Sequence, residues 1–405
     1  MSDLAKSRKK EKWMKFRHKV VTVIARGILK PYSIYKYGIE AVKFKEQGER
    51  QYLILLNHQT PFDQFFVGMS FKGPIYYMAT EDIFSNGFVS KLIRYLVAPI
   101  PIKKQTNDIA AVLNCLRVAR EGGTICIAPE GNRTYSGRTE YINPTIASLA
   151  KRLKLPIALY RIEGGYGVQP RWSDVVRKGK MRSYVSRVIE PEEYGVMTDD
   201  ELNNVITEGL YVDEAYADGV FVHKKSAEYL ERAIYVCPYC GLAEFESNGD
   251  GIVCKKCNKR IVYTETKELK GDGFEFPFRF VSEWYDYQQS FVNSLDLLKH
   301  TEKPIFEDVA DFSQVIVYKK KIPLKKSCTV RLYGDKIVLD GERTFSFDEL
   351  TAVAVLGRNK LNIYKGAEVY QFKGGKRFKA LKYVNIYYRY KNLTKGEGNG
   401  EFLGL

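Results

Sequence analysis

The chain has 405 residues, which at about 150 residues per domain implies two or three domains. Hydrophobic residues make up 45% and charged residues 28%, the balance of a folded protein, which excludes disorder and collagen-like repeats. Lys and Arg number 64 against 48 Asp and Glu, a net charge of +16. The excess lies at the two ends, with ten basic against two acidic residues over 1–30 and nineteen against six over 319–395. A near-neutral middle between basic ends fits attraction to a polyanionic surface, either anionic lipid or nucleic acid.

At the start, Trp13, Phe16, Val20, Val23, Ile24, Gly27 and Ile28 recur at helical spacing beside a basic stripe of Lys12, Lys15, Lys19, Arg26 and Lys30. Pro31 is predicted to end this helix. Residues 1–31 thus read as a basic amphipathic helix that can lie in a bilayer interface, or equally as a surface helix packed on its own domain. No stretch approaches about 18 uninterrupted apolar residues, so a spanning helix is not expected. The N-terminus also lacks the cleavage pattern of a signal peptide.

Short apolar runs at 52–56, 75–79, 124–128 and 156–160 predict strands, with helices between them at 107–121 and 144–154. Strands alternating with helices indicate an α/β domain over residues 32–232. Four of the seven cysteines then form CPYC (Cys237, Cys240) and CKKC (Cys254, Cys257), thirteen residues apart. Such knuckles supply four thiolates for a tetrahedral, structural Zn²⁺, so 233–265 reads as a zinc ribbon. Cys115, Cys126 and Cys328 read as buried thiols, and the odd total argues for a reducing cytoplasm. Residues 266–312 are expected to be a helical linker containing a helix at 284–300.

From 313 to 392 short alternating strands with Gly-containing turns are closed by one helix, similar in topology to a pleckstrin-homology-like β-barrel. Residues 393–405 are expected to be a flexible tail. No recognition helix or RNP-like aromatic pattern accompanies the basic ends, so nucleic acid is not expected and an anionic membrane is favoured. The protein partner of the last module is not legible.

The chemistry centres on LLNHQTPFDQFF. With Thr60 as N-cap, Pro61 as first helical residue and Asp63 as third, His58 falls in the loop entering a helix. The Asp63 carboxylate can then fold back onto one imidazole nitrogen and leave the other free as a base. The same carboxylate could instead be an ordinary cap, and His223 with Glu228 repeats the spacing. A second segment, TICIAPEGNRTYSGR, carries Glu130 and Arg133 at a predicted strand end. Ligands of open α/β sheets bind at strand ends, and a guanidinium offers a fork for phosphate.

Together these segments resemble the glycerolipid acyltransferase family. Asn57, His58 and Asp63 match its NHxxxxD block, and Pro129, Glu130, Gly131 and Arg133 match its FPEGTR block, with Ala128, Asn132 and Thr134 as departures. APIPIKK at 98–104 is similar to the G-x-I-P-I-x-R block, with Ala98 for the glycine and Lys104 for the arginine. KLPIALY, with Pro156, is similar to the fourth block.

The resemblance implies a mixed sheet flanked by helices, His58 and Asp63 as catalytic dyad, and acceptor binding by Lys104, Glu130, Gly131, Arg133 and Pro156. It implies acyl transfer from acyl-CoA or acyl carrier protein to 1-acylglycerol 3-phosphate or a similar lysophospholipid, at the cytoplasmic face of a membrane. Two alternatives remain: another acceptor of the same class (glycerol 3-phosphate, another lysolipid or a glycolipid), or an inactive membrane scaffold.

Overall fold

The structure is a computed structural model and describes residues 12–80, 83–102, 108–316, 319–396 and 400–404. Lys104 and the first eleven residues of the expected basic helix lie outside the described residues.

The first domain runs α1 (Phe16–Tyr37), β1 (Ile39–Ala41), β2 (Leu53–Leu56), α2 (Asp63–Ser70), β3 (Ile75–Thr80), α3 (Phe88–Val97), β4 (Ile100–Ile102), α4 (Ile109–Arg120) and β5 (Thr124–Ile127). It continues with α5 (Thr145–Leu153), β6 (Ile157–Glu163), the single turn α6 (Gly165–Val168), β7 (Met181–Ile189), α7 (Pro191–Gly195) and α8 (Asp199–Leu210). Its seven strands form one sheet in the order β1-β7-β6-β2-β5-β3-β4. The five strands from β6 to β4 pair in parallel and β7 turns antiparallel to β6, so the sheet is mixed.

Strand side chains alternate between faces, and the burial follows that alternation. Leu53, Leu55, Ile125, Ile127, Ile157 and Leu159 pack under α4, α5 and α8. Ile54, Leu56, Cys126, Ala158 and Tyr160 pack under α1 and α2 with Tyr37, Phe66 and Val67. The domain is therefore three layers, with both sheet faces covered, as a mainly parallel sheet requires.

Pro31 does not end the first helix. It lies inside α1, which continues to Tyr37 and stops on Gly38 in the left-handed region, φ 61°. Gly27 and Pro31 are both exposed, so the carbonyl that loses its donor to the proline is open to water. Gly38 must be glycine, because a Cβ there would lie 2.2 Å from the Gly179 oxygen.

The middle of the chain contains β8 (Val236–Cys237), β9 (Gly241–Leu242), β10 (Phe245–Asn248), β11 (Gly251–Cys254), β12 (Arg260–Tyr263), β13 (Leu269–Gly271) and α9 (Val281–Ser294). The last unit comprises β14 (Phe306–Ile316), β15 (Lys320–Leu332), β16 (Lys336–Leu339), β17 (Arg343–Ser346), β18 (Ala352–Leu356), β19 (Lys360–Lys365), β20 (Glu368–Gly374) and α10 (Ala380–Lys395). Its seven strands form one antiparallel sheet, β17-β16-β15-β14-β20-β19-β18, curled into a half-barrel against α10. The first strand begins at Phe306, seven residues before the predicted boundary at 313, because Phe306 already pairs with Leu332.

Nor is the end of the chain loose where it is described. Leu403 is buried, Phe402 packs between Tyr141 and Tyr388, and the side-chain amides of Asn293, Asn392 and Asn385 donate to the carbonyls of Glu401, Phe402 and Leu403. One continuous core joins Tyr135, Tyr166 and Trp172 of the first domain to the cysteine unit and the half-barrel.

Candidate active site

β2 and β5 are parallel neighbours in the register Leu55↔Ile127. Three residues beyond each partner stand His58 and Glu130, so the pairing brings the two loops together at the C-terminal edge of the sheet. The His58 backbone N–H donates to Glu130 Oε1 at 2.7 Å, and Thr134 N–H donates to the His58 carbonyl at 3.2 Å. Glu130 Oε2 accepts from the Glu140 N–H at 2.7 Å. Both carboxyl oxygens of Glu130 thus tie the two loops, and burial pushes its carboxyl well above the usual range against the effect of those N–H bonds.

His58 Nδ1 lies 2.8 Å from Asp63 Oδ2. A carboxylate can only accept, so Nδ1 carries the proton and Nε2 is left as the basic nitrogen. Asp63 is almost fully buried and also accepts from Gln59 N–H at 2.7 Å, Thr60 N–H at 2.9 Å and Thr60 Oγ1 at 2.6 Å. The cap and the imidazole partner are therefore one carboxylate. The helix itself begins at Asp63 with Phe62 as N-cap, two residues later than predicted, because Pro61 and Phe62 form a turn that Thr60 Oγ1 closes by accepting the Phe62 N–H.

Asn57 braces the loop from behind, donating to the Ile162 carbonyl at 2.8 Å and accepting its N–H at 2.7 Å. Gln59 accepts the Tyr166 N–H at 2.7 Å.

A cavity of about 1410 Å³ opens onto His58, Asp63, Glu130, Gly131 and Arg133. Its further walls are largely apolar, including Val21, Ala25 and Leu29 of α1, Leu96 of α3 and Val112 of α4. Arg133 presents a buried Nη1 without a hydrogen-bond partner. Burial, with Arg171 and Arg358 nearby, pushes its pKa down to about 9, so it stays cationic at neutral pH.

Pro156 does not belong to this site. β6 runs parallel to β2, so its start falls at the opposite edge of the sheet, where the Pro156 carbonyl accepts the Leu53 N–H at 3.0 Å. Arg171, which contacts Arg133 and Asn132, and the cavity-lining Phe402 carry no sequence signal for the site and reach it through the fold.

The four sulfurs of Cys237, Cys240, Cys254 and Cys257 lie within 4.8 Å of one another. Cys237–Cys257 and Cys240–Cys254 are separated by 3.8 and 3.6 Å. A tetrahedral ion with bonds of about 2.3 Å sets its sulfurs about 3.8 Å apart, so the cluster could hold a metal ion.

Residues 34–162 match the acyltransferase family. That segment contains Asn57, His58, Asp63, Glu130, Gly131 and Arg133, the residues that build this site. Among individual relatives, a chloroplastic 1-acyl-sn-glycerol-3-phosphate acyltransferase of Brassica napus is 21% identical over 205 residues, covering 48% of this chain and 56% of its own length. The chain thus spans little more than half of that curated relative. The solved 1-acyl-sn-glycerophosphate acyltransferase PlsC of Thermotoga maritima is 19% identical with a TM-score of 0.41, over 48% of this chain and 78% of its own. Residues 206–294 match a second family, described as membrane iron-sulfur containing protein FtrD-like.

Proposed function

We propose that the protein is an O-acyltransferase that moves an acyl chain from acyl-CoA or acyl carrier protein to the free hydroxyl of 1-acylglycerol 3-phosphate or a similar lysophospholipid. The observation that carries this is the 2.8 Å His58–Asp63 bond at the mouth of an apolar cavity that also holds Arg133.

A lipid hydroxyl is a weak nucleophile at neutral pH and needs a base within hydrogen-bond reach. His58 Nε2 takes its proton as the oxygen attacks the thioester carbonyl carbon, and the Asp63 carboxylate stabilises the imidazolium. The tetrahedral intermediate collapses by breaking the carbon–sulfur bond, and His58 returns the proton to the departing thiolate. No acyl-enzyme is required. Arg133 holds the acceptor phosphate, with Gly131 allowing close approach, while Glu130 holds the loops in place. The apolar walls of the cavity suit an acyl chain.

The membrane side of the reading rests on α1 and α3. Phe16, Val23, Ile24 and Ile28 on the first, and Phe88 and Tyr95 on the second, expose large apolar surface. Arg17 joins the two helices by donating to the Tyr95 carbonyl at 2.8 Å. No helix among the described residues is long and apolar enough to cross a membrane. Such a face suits peripheral docking with Lys19 and Lys30 beside it. In the four-cysteine unit, a structural Zn²⁺ fits the donor set and the sulfur spread. A multi-iron cluster distributes its cysteines over separate atoms and spreads them wider. The meander order and closing helix of the half-barrel suit a pleckstrin-homology-like module.

The test is acyl transfer by purified protein in anionic liposomes, with 1-acylglycerol 3-phosphate and a labelled acyl thioester. Wild type should transfer and His58→Ala should not. Equal rates in both would remove His58 from the mechanism, and an acceptor panel would identify a different acceptor.

A further inference from the structure

Arg133 is placed unusually for a cation. Its Nη1 is buried without a hydrogen-bond partner, and the guanidiniums nearest to it in charge effect are two others, Arg171 and Arg358. Arg171 is buried and clamps the same loop, donating to the Arg133 carbonyl at 2.9 Å and to Asn132 Oδ1 at 3.1 Å.

Arg358 comes from the β18–β19 turn of the half-barrel, more than two hundred residues away in sequence. It donates to Asp174 Oδ1 at 3.0 Å, on the loop that carries Arg171. Asp174 also accepts from Arg232 at 2.7 Å, so one carboxylate is shared by two guanidiniums. Arg358 thus holds, through Asp174, the loop whose Arg171 clamps the Arg133 carbonyl and Asn132. Of the carboxylates around Arg133, Asp63 is engaged by His58 and its own loop, and Glu130 by two backbone N–H groups. Glu140 accepts from the Thr134 hydroxyl, and burial raises its carboxyl. A buried guanidinium among others is costly unless an anion compensates it.

We propose that the anion seat is shared between two domains: Arg358 of the half-barrel, with Arg171, is a positioning residue that acts through Arg133 to select an acceptor bearing a phosphate monoester over a zwitterionic or neutral one. This rests on the acyltransferase reading for the identity of the acceptor, but not for the seat itself. Neither Arg171 nor Arg358 lines the apolar cavity, so their effect is on the potential and orientation of Arg133, not on the acyl chain. A dianion gains more from that field than a zwitterion, whose ammonium is repelled by it. The half-barrel is then part of the acceptor site as well as an appendage to it.

The experiment titrates glycerol 3-phosphate into the full-length protein and measures acyl transfer in parallel. Arg358→Ala should weaken the Kd for glycerol 3-phosphate and raise KM for 1-acylglycerol 3-phosphate by about fivefold, as expected for a partly screened charge. kcat should stay within about twofold, since removing ground-state binding leaves it unchanged. Arg358→Lys should restore most of the affinity. Asp174→Asn, which removes an anion from the cluster, should tighten glycerol 3-phosphate binding, a gain that a merely structural contact does not produce. Arg377→Ala, at the half-barrel's contact with Glu231, should leave both constants unchanged.

Binding of glycerol 3-phosphate with these changes, but no acyl transfer by wild type, would overturn the acyltransferase reading and leave the seat standing. Transfer by wild type with unchanged constants in Arg358→Ala would overturn the inference alone. Failure of wild type to bind glycerol 3-phosphate would overturn it as well.

Discussion

Asp63 shows how much one side chain can be asked to do. It accepts from the imidazole, two backbone N–H groups and a hydroxyl, so Asp63→Asn replaces one acceptor oxygen by a donor in a nest of donors. The expected result is a fall in kcat of roughly 10²–10⁴-fold from loss of the base's orientation. A lower melting temperature should accompany it, and both are measured on the same preparation. Glu214 gives a separate prediction. It is fully buried, its Oε1 accepts the Gly164 N–H at 2.7 Å, and burial raises its carboxyl from 4.5 to about 7. In the unfolded chain this group ionises near its ordinary value. Its contribution is therefore fully present below about pH 4.5 and is lost as pH rises through about 7. Glu214→Gln should flatten that part of the stability profile and raise the melting temperature at pH 8, by thermal denaturation across pH. At this scale the His58–Asp63 contact was legible because it is local, while Glu130 and Arg133 stood out only through the resemblance of their block. Arg171 was not legible, since an arginine between a proline and a tryptophan has no local mark of its partner.

The helix α1 carries the element-scale prediction. Exposed Val23 and Ile28 can leave water only against another surface. The pair Val23→Glu and Ile28→Glu should lower partition onto anionic vesicles at least about tenfold, since each buried aliphatic side chain contributes roughly 1.5–3 kcal/mol. Co-sedimentation measures this, and the melting temperature should not fall. Binding should also weaken with salt through the lysines. Arg26 is a poorer contributor, because its guanidinium caps α2 at the Gly68 and Phe71 carbonyls. The helical period of α1 was plain in the sequence, but its length was not. A proline marks a lost hydrogen bond, and whether that ends a helix depends on what the freed carbonyl meets.

Over the whole molecule, the cysteine unit sits in the continuous core beside Tyr135, Tyr166 and the half-barrel. Loss of the proposed Zn²⁺ should therefore act beyond the cysteine unit itself. Elemental analysis should find one zinc per chain, and Cys254→Ser should lower both the melting temperature and acyl transfer. Zinc without effect on either would separate the unit from the enzyme. The contact to the half-barrel is reinforced by the fully buried Lys382, which meets Glu244 at 3.1 Å and Asp308 at 2.9 Å. Lys382→Ala removes the cation from Asp308 while Glu244 keeps Lys379, and should destabilise by about 1.5–3 kcal/mol in denaturant unfolding.

The sequence by itself determined four of the seven strands of the first domain and the helices α1, α2, α4 and α5, the four-cysteine cluster and the histidine–carboxylate pair, because periodicity, knuckle spacing and loop chemistry act within a few residues. The tertiary structure alone decided which loops meet. Pairing of β2 with β5 put His58 beside Glu130, while the parallel pairing of β6 carried Pro156 to the far edge. The docking of the half-barrel brought Arg358 onto Asp174, in the loop of Arg171, and three asparagines drew residues 401–403 toward the cavity. Those outcomes depend on contacts between residues in some cases more than two hundred positions apart, whose energies are set by packing and burial and leave no periodic trace in the chain.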